Sequence, residues 1–392
     1  MTALSSAPDG TTAEGRSASP GGRLGGVDLA RALAMLGMLV EHTLQYPDLE
    51  AKGVLWSVYG RSAPLFVLLA GMGLVLATRA PRPPRTGAMV TVRALLLLLV
   101  GMALTTEVDS VILQPFALWF LMGLCVLRLP RSALAGLAGL GLVGGPLLLT
   151  SLRNRGEIRG FGTRDDVGFA ALADPFTLVR GLTLEYYPAI LWLGFFFAGM
   201  ALARWLSSSS PAAGGRLFLG GVAASVVVLT AGWAGADAFG PPSYDFGLAP
   251  PVPTTWAGHW TTYGFSDAVG WTLSSTALSV SVVGAALWVA GRPGLVRRLI
   301  APFVALGQMA LSFYLLHFLY LDTLWSDLAP SLDHTGVFLL VSLVFWTMFA
   351  LLAQQWLRVL RWGPLETVLH VVTTAVIRPR ERGGPRIRAP MT

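Results

Sequence analysis

The chain has one cysteine and one lysine in 392 residues, and only 12% of its residues are charged. Cys125 alone can form neither an intrachain disulfide nor a cysteine metal site. It lies in an apolar run and reads as a small buried residue. Residues 1–22 are Ser, Thr, Gly, Pro and Ala with few apolar anchors, so they lack the apolar core of a signal peptide and have the composition of a disordered tail. No phosphate-cradling glycine loop, zinc-type His/Glu pair or serine elbow is found, and no metal is expected. Scarce charge together with 54% hydrophobic residues and a mean hydropathy of +0.63 excludes a soluble fold.

What the chain does contain is apolar runs of membrane-crossing length. Helices are expected at about 27–45, 54–78, 88–106, 109–127, 132–151, 187–206, 216–236, 268–291, 300–321 and 336–357, each near the roughly 20 residues a bilayer requires. The fold class is therefore all-α, a polytopic transmembrane bundle of about 10 helices, spanning 23–370 between the 1–22 tail and a basic 371–392 tail. A further apolar stretch, Val368 to Ile377, is too short to span and belongs at the interface or against the bundle.

Ten spans put both termini on one side, and the charges say which. With the termini cytoplasmic, the inner segments carry a net +16 and the outer ones −9, giving the +7 of the whole chain. That obeys the positive-inside rule, so the basic excess is a topology signal, with attraction to anionic lipids or an anionic cytoplasmic ligand second, and no nucleic acid is expected. The location that follows is the cell membrane, multi-pass.

Ionisable groups inside spans are few, and each costs about 2.5–3.5 kcal/mol on insertion scales, so each asks for a partner, a cavity or a function. The first helix carries Asp28, Arg31, Glu41 and His42. Asp28 and Arg31 share a face and can pair near the inner end, as an anchor or as a cation for an anionic ligand. His42 follows Arg31 by eleven positions, almost three turns and about 16 Å along the axis, so the two lie on one stripe at opposite depths. His42 is thus either a hydrogen-bonded interface residue or a base at the outer end. Arg61, Glu107 with Asp109, Glu185 with Tyr186 and Tyr187, and His317 are expected at that same outer depth. Together they could supply the titratable group and carboxylate of an acid/base site, or be outward-facing anchors. The 237–266 segment has no basic residue but holds Tyr244, Trp256, His259, Trp260 and Tyr263. These form an interfacial aromatic belt or stack on a sugar, and His259 joins the site only if this segment folds back over it. Gly71 with Gly73, and Gly136, Gly139 and Gly141, permit close helix contact.

Arg31-x10-His42 resembles the first-helix signature of the acyltransferase type three membrane family. Asp28-Leu-Ala-Arg31-Ala-Leu-Ala-Met-Leu-Gly is similar to the opening of the heparan-alpha-glucosaminide N-acetyltransferase catalytic domain and its bacterial relatives. Arg61-Ser-Ala-Pro-Leu-Phe-Val-Leu-Leu-Ala-Gly71, Tyr186-Tyr-Pro-Ala-Ile-Leu-Trp-Leu-Gly-Phe, Leu306-Gly-Gln-Met-Ala-Leu-Ser-Phe-Tyr-Leu-Leu-His317 and Trp362-Gly-Pro-Leu-Glu366 resemble further segments of that group, in order, over most of 23–370. The resemblance implies a membrane acyltransferase that moves an acyl group, commonly acetyl, from cytoplasmic acyl-coenzyme A to a hydroxyl or amine of a carbohydrate or natural-product acceptor. Carried over residue by residue, it gives His42 the histidine position and Arg31 the arginine position of that signature. The reading of depth and charge adds Glu185 and His317 to catalysis, Asp28 beside Arg31 at the coenzyme A, and Arg61, Glu107, Tyr187 and His259 at the acceptor. Two departures stand out: Ala32 replaces the glycine that usually follows the arginine, and heparan-type relatives often carry asparagine at the position of His42. Whether His42 is the direct base therefore stays open. Expected partners are membrane lipids, a small-molecule or glycan acceptor and a second copy of the chain as a homodimer. The rival reading is a transporter or flippase for a polar or lipid-linked substrate. Against it, the two halves show no inverted repeat, and the acidic residues gather at the outer depth instead of the midplane.

Overall fold

A computed structural model describes residues 20–43, 59–78, 85–108, 111–159, 163–210, 212–239, 244–245, 252–321 and 335–377. It is all-α apart from one antiparallel pair of two-residue strands, β1 (Tyr244–Asp245) and β2 (Val252–Pro253). The long elements are α1 (Pro20–Thr43), α2 (Ser62–Ala77), α3 (Thr86–Leu104), α4 (Leu113–Cys125), α5 (Arg131–Gly139), α6 (Gly145–Asn154), α7 (Pro175–Arg180), α8 (Ala189–Ser207), α9 (Ala213–Phe239), α10 (Val269–Ala290), α11 (Leu295–Gln308), α12 (Ala310–Tyr320), α13 (Thr335–Val359) and α14 (Pro364–Ile377). A π-helical turn at Leu140–Gly144 joins α5 to α6 into one rod, as such bulges do inside longer helices.

Among the described residues six helices are long and apolar enough to cross a membrane, 86–104, 131–154, 189–207, 213–239, 269–290 and 339–359. α1 has spanning length but carries Arg23, Asp28, Arg31 and Glu41, while α2 and α4 are shorter apolar helices. The chain is a multi-pass membrane bundle, and α9 shows its outer surface: Leu219, Val227 and Trp233 stand exposed on a helix with no polar face.

Each expected span has a helical counterpart, with one correction. The ninth, expected as one rod over 300–321, is broken at Met309, and α11 and α12 meet at 84°. Continuous hydropathy hides the break; three hydrogen bonds from a distant carboxylate fix it. Glu366, in the first turn of α14, accepts from Leu311 N at 2.8 Å, Ser312 N at 3.1 Å and Ser312 Oγ at 2.5 Å, which satisfies the free N–H groups at the start of α12. α14 itself covers the short apolar stretch at 368–377 and runs on past residue 370. Cys125 is a second correction. It ends α4 on the exposed surface, because a lipid-facing position is as apolar as a core one and composition alone does not separate them.

Helices approach closely where side chains are missing. Gly71 abuts the backbone of Phe196, Gly141 that of Gly194, and Gly307 that of Asp28, so a Cβ has no room at any of the three. Gly136 and Gly139 have open space instead. The core between α2, α4, α8 and α10 is aromatic: Trp119 and Trp192 stack with centroids 5.9 Å apart, and Trp271 meets Trp192 edge-on.

Contacts define the two ends of the bundle. Ser62 at the start of α2 bonds Glu41 at the end of α1, whereas Gly73 lies against Arg31, so α1 and α2 are antiparallel. Trp271 at the start of α10 donates to Gly60 O, while Leu287 near its end packs on Gly26. The 252–268 segment thus sits over the end where His42 lies.

Candidate active site

Two histidines meet at that end. His42, one residue before the end of α1, and His317 on α12 have ring centroids 5.5 Å apart, and Phe318 lies 5.5 Å from His42. The break at Met309 makes this possible, because it turns α12 to run beside the second half of α1. His317 is only 2% exposed. Its Nδ1 lies 2.5 Å from Tyr314 O, and since a carbonyl oxygen only accepts, that nitrogen carries the proton. Nε2 is therefore the lone-pair nitrogen, buried and without a partner among the described residues.

The surroundings of the pair are held from several helices. The Tyr314 hydroxyl accepts from Ile112 N at 3.2 Å and the Tyr186 hydroxyl from Val111 N at 2.8 Å, pinning the start of α4 beside α12. Glu41, next to His42, is buried and accepts from Arg61 N at 3.0 Å and Ser62 N at 3.1 Å, so it closes the start of α2. Tyr187, in a left-handed backbone conformation at φ 45, stacks edge-on against Tyr186 and Trp192. Its phenol lies within electrostatic reach of Glu41, Tyr59 and Tyr314. Tyr59 in turn meets Tyr263 and Phe265 of the overlying segment.

The other expected residues stand as follows. Arg61 is buried and spends its guanidinium on the protein: Nη1 donates to Trp271 O, Ser274 Oγ and Ser275 Oγ at 3.1, 2.7 and 2.6 Å, and Nη2 to Thr262 O at 2.5 Å. It ties the overlying segment to α10. Glu185 is buried and engaged by Arg159 and Arg180, with Nε of Arg180 at 2.9 Å and Nη2 of Arg159 at 3.2 Å. Glu107 is exposed beside Thr106, and Asp109 lies outside the described residues. His259 is buried in the segment over the bundle. Its pKa is lowered to about 4, by burial first and then by the charge of Arg153, so it is neutral at pH 7. Burial likewise holds the Asp267 carboxyl above its usual range, even though Arg153 Nη2 reaches its Oδ2 at 2.6 Å.

At the opposite end, Arg31 Nη1 donates to Asp28 Oδ1 at 2.7 Å, and Gln308 at the helix break hydrogen-bonds the same carboxylate. A Cβ on Gly73 would come 3.0 Å from Arg31 Nη2, so the glycine leaves that edge of the guanidinium uncrowded. The ion pair expected between Asp28 and Arg31 is thus formed. The sequence does not point to Tyr314, Arg153, Asp267 or Glu366 as site residues, and Glu41 stands out in it only as a charge in the first helix; their roles come from partners 20 to more than 200 residues away. Tyr314 and Glu366 do lie inside recognised motifs, which was the available signal. Among the described residues no three His, Cys, Asp or Glu side chains converge as a metal-holding group.

The family model described as heparan-alpha-glucosaminide N-acetyltransferase, catalytic, matches residues 23–229, and one described as a protein of unknown function (DUF418) matches 248–375. His42 falls in the first match and His317 in the second, so the histidine pair joins them. No curated protein and no solved structure matches the chain.

Proposed function

Because the chain belongs to the heparan-alpha-glucosaminide N-acetyltransferase catalytic family, a family of membrane acetyltransferases, we propose that it moves an acyl group, acetyl foremost, from cytoplasmic acyl-coenzyme A to a hydroxyl or amine of a carbohydrate or natural-product acceptor. The observation that carries this reading is the buried His317 Nε2, without a partner among the described residues, beside His42 at the end of the bundle remote from Arg31. Such a nitrogen is free to accept a proton from a substrate or from His42.

In this mechanism the donor's thioester supplies the activated acyl carbonyl. Arg31, held by Asp28, meets the donor's anionic portion at the cytoplasmic end. His42 takes the proton from the acceptor hydroxyl or amine as that atom attacks the carbonyl carbon, and His317 Nε2 orients His42 or relays the proton. The C–S bond then breaks, and the imidazolium returns the proton to the departing thiolate. No activated serine or cysteine nucleophile adjoins the pair among the described residues, which favours direct transfer. Tyr187, Tyr59 and Tyr263 would face the acceptor, with Arg61 holding the overlying segment in place.

The test is turnover by purified protein in detergent, with labelled acetyl-coenzyme A and a panel of amino sugars and hydroxylated acceptors. Labelled product with at least one acceptor is expected. Substrate flux in vesicles without thioester turnover would identify a transporter instead.

A further inference from the structure

Unsatisfied buried polar atoms also gather at a second place, the end of α6. Arg153, in its last turn, has a side chain only 7% exposed. Asp267 takes Nη2 alone, and Nε and Nη1 are buried without partners among the described residues. One turn earlier on the same face, Thr150 Oγ1 is buried and unpartnered as well. An arginine side chain reaches back over the turn before it, so its guanidinium lies on the Thr150 side. From the overlying segment comes His259, 8% exposed, whose Nδ1 has no partner and whose ring feels the Arg153 charge. Asn154 Nδ2 donates to Thr254 O at 2.9 Å and fastens that segment to the end of α6.

All four atoms can donate: the two of Arg153 can do nothing else, and Thr150 Oγ1 and His259 Nδ1 can turn a hydrogen toward the same ligand. Leaving several donors dry is costly, and a guanidinium with free N–H groups selects an oxyanion over a neutral partner. We propose that Thr150, Arg153 and His259 form a binding site for an oxyanion, a carboxylate or phosphate, with Asp267 holding the arginine in place. This site shares no residue with the histidine pair. Assigning the oxyanion to the acceptor rests on the acetyltransferase reading; the binding itself does not.

The experiment is a thermal-shift titration of the full-length protein in detergent. Sodium phosphate, sodium glucuronate and phosphatidic acid doped into the micelles are compared with sodium chloride at matched ionic strength. Thr150→Val nearly preserves shape and removes one donor; Arg153→Met removes two. The expected result is a saturable stabilisation of the wild type by at least one oxyanion beyond chloride, about ten-fold weaker in Thr150→Val and absent in Arg153→Met. Whichever probe acts identifies the source as phosphate, carboxylate or lipid headgroup. If Arg153→Met does not fold, Thr150→Val alone decides. No shift beyond chloride, or an equal shift in wild type and Thr150→Val, overturns the proposal. Acetyl-transfer activity does not enter this readout, so its failure and that of the acetyltransferase reading can be told apart.

Discussion

A histidine that gives its Nδ1 proton to a backbone carbonyl has one role left for its other nitrogen, and His317 is in that position. Replacing it with Gln keeps a side chain of similar reach but no titratable nitrogen. The expected loss in kcat is about 10²-fold or more with little change in melting temperature. Glu41 beside His42 does a different task, because it accepts two backbone N–H groups at the start of α2. Glu41→Ala strands both and is expected to cost about 1–3 kcal/mol per buried donor, whereas Glu41→Gln keeps an acceptor oxygen and costs less; thermal unfolding in detergent separates them. His259 sets a pH dependence. Its folded pKa of about 4 lies below the usual 6.5, so the unfolded chain binds more protons between those values. The stability it contributes is complete above about pH 6.5 and is lost as pH falls toward 4. The melting temperature should drop more between pH 7 and 5 in the wild type than in His259→Asn.

The helices show what the sequence made legible and what it did not. Spans and the Arg31–His42 stripe follow from hydropathy and helical spacing, which are local quantities, and α1 carries them as expected. The turn at Met309 is not local. Residues 300–321 read as one predominantly apolar run, and the break depends on Glu366, which is 54 residues beyond Ser312. Glu185 shows the same limit: its depth could be read, but the arginines that engage it come from the segment after α6 and the end of α7. Glu366→Ala should therefore act through α12. Freeing three donors at its start, it is expected to lower stability by about 2 kcal/mol and to depress acetyl transfer by displacing His317, with Glu366→Gln partly restoring both in parallel melting and activity measurements.

At the scale of the molecule, an arginine-rich end and an acidic, aromatic end are separated by the bundle, with Arg31 and His42 marking the two depths. From the charge asymmetry we propose that the first end faces the cytoplasm. Since Cys125 is the chain's single cysteine, a Cys125→Ser background permits a direct check with single cysteines at exposed positions. Ser208→Cys, between α8 and α9, should react with an impermeant maleimide only after the cells are opened. Asp165→Cys, in the loop before α7, should react in intact cells. The central claim is that the two histidines, one from each matched segment, form one acyl-transfer site. It is tested most directly by single-turnover transfer from labelled acetyl-coenzyme A in wild type, His42→Ala, His317→Ala and the double variant. The account predicts large losses in each single variant and a double variant no worse than the poorer single one, as expected of residues that act as a unit. Wild-type transfer in His42→Ala, with the protein folded, would contradict it.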